Sequence, residues 1–130
     1  MSVETITLIQ GNDKIELPRE DGNWVLAREV GYSPVQMLVS AVAACGGYVY
    51  QSVLDNSHIP YTFEKIEVSY TRNEERQAQP VQSIAITFFV EISDELHEKA
   101  ERCVKLVSKN CPVIQSLDPS IEVTEKVKFI

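Results

Sequence analysis

Positive charge is in short supply. Twelve Lys and Arg residues stand against nineteen Asp and Glu, leaving a net charge of −7. That balance excludes the basic face that nucleic acid requires. Cysteine is sparse as well, with three in 130 residues and no C-x-x-C pair, which excludes both a disulfide scaffold and a thioredoxin-like motif. The two histidines, His58 and His97, are too far apart in sequence and too poorly accompanied to mark a metal centre. No basic leader precedes an apolar run. Met1-Ser-Val-Glu-Thr-Ile opens instead as an alternating strand, so a secretory signal is not expected and the reducing cytoplasm is the expected compartment.

Charge disappears altogether between Glu29 and Asp55. Val30 to Leu54 is long enough to cross a bilayer. It contains Pro34, Gln36, Ser40, Gly46, Gly47, Gln51 and Ser52, however, and has no basic anchor directly after its C-terminal end. The expectation is a buried helix of a soluble protein, with no membrane partner. Ser33 is a good N-cap and Pro34 suits the first helical position, so the helix should run from there to about Leu54. It is apolar nearly all round, and a single 130-residue domain has little material with which to wrap it. A second copy of the chain covering the other face is the simplest remedy, which predicts an intertwined homodimer.

Around that helix the alternating segments read as strands. Val3 to Ile9, Lys14 to Leu17 and Trp24 to Leu26 precede it, while Tyr61 to Thr71, Val81 to Ile92 and Ile121 to Phe129 follow. A second helix is expected from Ser93-Asp94, with Leu96, Ala100, Cys103, Val104 and Val107 as its buried stripe. The order gives an α+β fold with helices on one face of largely antiparallel sheets, in a single domain over residues 1–130.

The three thiols differ. Cys103 lies on an apolar stripe, where a small hydrophobe suffices. Cys111 precedes Pro112, so it should be extended and should cap a short helix whose free amides favour a thiolate. An indifferent cap is the equal alternative. Cys45, in Ala-Ala-Cys-Gly-Gly, reads on helix grammar alone as a packed core thiol ahead of a nucleophile.

Ser33-Pro34-Val35-Gln36-Met37-Leu38, Ala43-Ala44-Cys45 and, later, Lys109-Asn110-Cys111-Pro112-Val113 together resemble the OsmC/Ohr family over most of the chain, from about Ser33 to Ile130. The resemblance implies a homodimeric, thiol-dependent peroxidase that reduces organic hydroperoxides without metal or bound cofactor. It matches Cys45 to the peroxidatic thiol and Cys111 to the resolving one, with an external dithiol closing the cycle. It further implies an arginine from a loop before the long helix, for which Arg28 is favoured over Arg19, although either also reads as a solvated surface residue. The family's helix-opening glutamate is replaced here: the two positions it takes hold Val35 and Gln36, so no carboxylate is available and Gln36 offers only a neutral hydrogen bond. The substrate pocket is expected at the dimer interface, apolar, and lined by Met37, Leu38, Ala41 and Tyr48. Burial at about 25 cal/mol per Å² would then favour bulky alkyl peroxides. A binding module for a small apolar ligand, with its cysteines retained as packing, is the alternative that the missing carboxylate motivates.

Overall fold

A computed structural model describes residues 2–130. The chain is α+β and divides into two compact units between Leu38 and Val39.

The first unit is built on a small antiparallel sheet in the order β1-β2-β3, with β1 at Ile9–Gln10, β2 at Ile15–Leu17 and β3 at Trp24–Val25. Ile9 pairs with Glu16, and Glu16 in turn with Val25. The alternation from Val3 predicts a longer first strand than forms. Strand β2 is only three residues long, so the ladder stops after two residue pairs, and Val3 and Ile6 remain largely exposed. Arg19 binds Asp21 at 3.2 Å and lies 5.0 Å over the Trp24 ring. Gly31 closes the turn before the long helix by donating its N–H to the Ala27 carbonyl at 2.8 Å. A Cβ there would stand 2.2 Å from the Val25 carbonyl oxygen, so only glycine fits.

Helix α1, Pro34–Asn56, opens with a capping box. The Gln36 amide donates to Ser33 Oγ at 3.1 Å, and the Ser33 amide donates to Gln36 Oε1 at 2.9 Å.

The second unit carries the core. Strands β4, Thr62–Arg72, and β5, Val81–Glu91, form an antiparallel hairpin. Strand β6, Glu122–Phe129, joins β5 in parallel, with Ile84 beside Val123 and Val90 beside Phe129. The parallel pairing follows from the connection: the chain leaves the end of β5 and returns to its start through α2, His97–Val104, α3, Val107–Asn110, and α4, Pro112–Gln115. The sequence predicts one helix here from Ser93-Asp94. Instead a 3₁₀ turn at Asp94–Leu96 leads into α2, and a bend at Lys105-Leu106 separates α2 from α3. His97 is structural, stacking on Phe129 at 3.7 Å with Nε2 2.7 Å from the Ile92 carbonyl oxygen.

One face of α1 settles on the sheet. Val39, Val42, Ala43, Tyr50 and Leu54 are buried with Ile84, Ile86, Phe88 and Val90. Tyr50 stacks on Phe88 at 5.0 Å and donates its hydroxyl to the Ala100 carbonyl at 2.9 Å. The two central glycines face the sheet at contact distance. A Cβ on Gly46 would lie 3.6 Å from the Phe88 ring, and one on Gly47 would lie 2.6 Å from Ile66 Cδ1. Each glycine costs the helix about 1 kcal/mol relative to alanine, and close burial of the sheet's side chains offsets it. The opposite face, with Ala41, Ala44 and Ser52 and with Tyr48 at 72% exposure, is open. By length and composition α1 is long and apolar enough to cross a membrane, yet its inner face is the core of this unit.

Gly47→Val should therefore overpack the helix–sheet contact and lower stability by about 1–3 kcal/mol in urea unfolding. Gln36→Ala should remove half of the capping box and cost about 1 kcal/mol in the same assay.

Candidate functional site

Helix periodicity decides which groups accompany Cys45. Residues 45, 48, 49, 52, 53 and 56 recur at three- and four-residue spacing and so share one side of α1. They form one wall of a groove of about 520 Å³, and Ser57, Leu106 and Asn110 complete it. Cys45 is half-buried in that wall. No lining side chain carries a charge. Lys99 reaches one lining residue but spends a proton on the Ser57 carbonyl, at 2.9 Å.

Cys111 arrives from the other side. It closes α3 and caps α4 in an extended conformation, φ −96° and ψ 111°, as the following proline demands. Its side chain is fully buried. Burial pushes the Cys111 thiol above its ordinary pKa, and the neighbouring Cys45 side chain pushes it further. The amides of Ile114 and Val113, at the free end of α4, pull the other way without making a regular cap hydrogen bond. The arrangement is a groove-facing thiol with a second, protonated thiol beside it and behind it. Both are free. Cys103, the third, is buried with its Sγ 3.6 Å from Ser57 Oγ, which fits the packing role its stripe position predicts.

Of the sequence-predicted site residues, Cys45, Cys111 and Tyr48 come together here. Ala41 lies exposed on α1, one turn before Cys45. Arg28, Gln36, Met37 and Leu38 belong to the first unit, where Arg28 is exposed and Gln36 serves the capping box. The polar end of the groove, Ser52, Asn56, Ser57 and Asn110, escapes the sequence argument. The helical spacing from Cys45 would have found Ser52 and Asn56. Ser57 and Asn110 follow only from tertiary packing. Among the described residues no cluster of His, Cys, Asp or Glu has the makings of a metal site.

The model of the OsmC-like protein family matches residues 27–126. The chain belongs to that family. Its fold is that of the OsmC-like protein from Mycoplasma pneumoniae, with a TM-score of 0.75 at 17% identity over 99% of this chain and 98% of that one. A hypothetical protein from Aquifex aeolicus VF5 gives 0.77 at 20% identity over 100% and 99%. The organic hydroperoxide resistance protein OhrB of Bacillus subtilis gives 0.63 at 21% identity over 95% and 96%. No curated protein matches the sequence. At these identities the solved structures establish the shared OsmC-like fold.

Burial holds the Cys111 proton to higher pH in the folded chain than in the unfolded one. The unfolded chain releases this proton first as pH rises through the ordinary thiol range, so stability present below that range should decline above it. Urea melts at about pH 7.5 and about pH 9.5 should show a smaller loss for Cys111→Ala than for the wild type.

Proposed function

We propose that this OsmC-like protein is a thiol-dependent peroxidase acting on organic hydroperoxides, with Cys45 as the attacking thiol and Cys111 as the resolving one. The observation that carries the reading is the meeting of a groove-facing thiol with a buried second thiol at a helix junction. The Cys45 thiolate attacks the O–O bond, the alkoxide leaves and takes a proton as an alcohol, and Cys45 becomes a sulfenic acid. The Cys111 thiol then displaces the sulfenic oxygen as water and forms the disulfide. An external dithiol reduces that disulfide by two exchange steps, itself becoming a disulfide. No metal or bound cofactor enters this cycle.

The groove supports the substrate class. Tyr48, Val49, Val53 and Leu106 offer apolar area for an alkyl or aryl group, and no charged side chain competes for it. The open face of α1 supports a homodimer, because a second copy seated there would cover Leu38, Ala41, Ala44 and Tyr48 and leave the groove's apolar wall enclosed. Ala41 then joins the substrate wall in the assembled dimer, while Met37 and Leu38 stay in the proposal on the sequence reading alone. Arg28 stays in the proposal on the family resemblance alone, as the cation that would steady the thiolate. The cytoplasm, with its dithiol reductants, is the compartment that suits the cycle.

One observation favours a second reading, a weakly reactive or inactive binding module for a small apolar ligand. The side-chain oxygen of Gln36, at a position where OsmC-like relatives carry a glutamate, is engaged by the Ser33 amide and carries no charge. Stopped-flow oxidation with cumene hydroperoxide and a dithiol separates the two. The peroxidase reading expects Cys45→Ser to lose at least about a thousandfold in turnover, on the scale of removing a nucleophile. It expects Cys111→Ser to oxidise once and stall. Full activity in Cys45→Ser, or thiols indifferent to peroxide together with a copurified ligand in native mass spectrometry, selects the binding module.

A further inference from the structure

Strand β6 places Val123, Glu125, Val127 and Phe129 on one face, and His97 of α2 stacks on Phe129, so this is the face turned toward the helices. Three of the four are apolar. Glu125 interrupts the stripe with a half-buried carboxylate where valine would suit the pattern. Its Oε1 accepts a hydrogen bond from Ser108 Oγ of α3. Ser108 is held a second time, because Gln115 Nε2 of α4 donates to the Ser108 carbonyl at 2.9 Å. Cys111 lies between Ser108 and Gln115, at the corner where α3 gives way to α4. The corner that presents the buried thiol is thus stapled across its mouth by Gln115 and tied to the sheet by Glu125.

We propose that Glu125 is a positioning residue for the resolving step: through Ser108 it fixes the α3–α4 corner so that Cys111 stays within bonding range of Cys45. The inference rests on the proposed pairing of the two thiols and goes beyond it by naming what holds the pair. The cost of turning a carboxylate inward is met by its hydrogen bond, and the return is a second tie on a corner whose core side is already held by the buried Val107 and Ile114. Neither Glu125 nor Ser108 touches the reacting sulfurs.

The test measures the Cys45–Cys111 disulfide against glutathione, without peroxide. Glutathione disulfide oxidises the pair, taking two electrons and the two thiol protons to give two glutathione thiols, and the equilibrium yields the effective concentration of one cysteine toward the other. Glu125→Val and Ser108→Ala should each lower it by about tenfold, a coupling within the range for contacting groups. Glu125→Gln, which keeps an acceptor for Ser108, should stay near the wild type. Glu125→Val should nonetheless remain folded, with unchanged alkylation of Cys45 by iodoacetamide. If Glu125→Val fails to fold, Ser108→Ala and Glu125→Gln carry the comparison. A wild-type disulfide whose effective concentration is indifferent to the loss of the Glu125–Ser108 bond overturns this inference alone. A wild-type chain that forms no Cys45–Cys111 disulfide at any glutathione ratio overturns the proposed peroxidase as well.

Discussion

The close seat of α1 on the β4–β5 hairpin is the constraint from which the site follows. Gly46 and Gly47 bring the helix backbone to the side chains of Phe88 and Ile66, and the Tyr50–Phe88 stack holds it one turn further along. A helix pinned so tightly has no freedom to rotate about its axis. Cys45, next to the first of these glycines, is therefore fixed at the margin between the buried and open faces. From that margin a thiol can look into a groove and still lie beside a sulfur of the core.

The second sulfur depends on a different kind of rigidity. Pro112 forces Cys111 out of the helical region, and the break between α3 and α4 turns the side chain into the interior instead of along a helix face. Burial keeps its proton on, while the α4 amides pull the opposite way. For a resolving role this is a workable compromise. In the proposed cycle a protonated Cys111 would not compete with Cys45 for substrate and would condense with it once Cys45 is oxidised.

Much of this was legible in the sequence. Ser33-Pro34 marks the start of α1 correctly, Cys111-Pro112 gives the extended cap, and the alternation over Tyr61 to Thr71 and Val81 to Ile92 yields the hairpin because each strand is long enough to carry a full ladder. The first strand is shorter than its alternation predicts because alternation reports an amphipathic surface and says nothing of a partner, and β2 is too short to supply one. The bend at Lys105-Leu106 was hidden because Cys103, Val104 and Val107 keep their buried spacing across it. Gln36 shows a subtler competition. The pattern Ser33-x-x-Gln36 is a capping box by local grammar, and the backbone partner it supplies occupies the side chain that the family resemblance assigns to the site. The groove's far wall, Leu106 and Asn110, is contributed by a segment distant in sequence and was beyond any local pattern.

The proposed chemistry requires Cys45 to pair with Cys111 under oxidation by peroxide. Peptide mapping by mass spectrometry after one equivalent of cumene hydroperoxide tests it most directly. The predicted product is a Cys45–Cys111 disulfide with Cys103 still reduced. A chain whose three thiols stay reduced, or whose disulfide joins Cys103 instead, would contradict it.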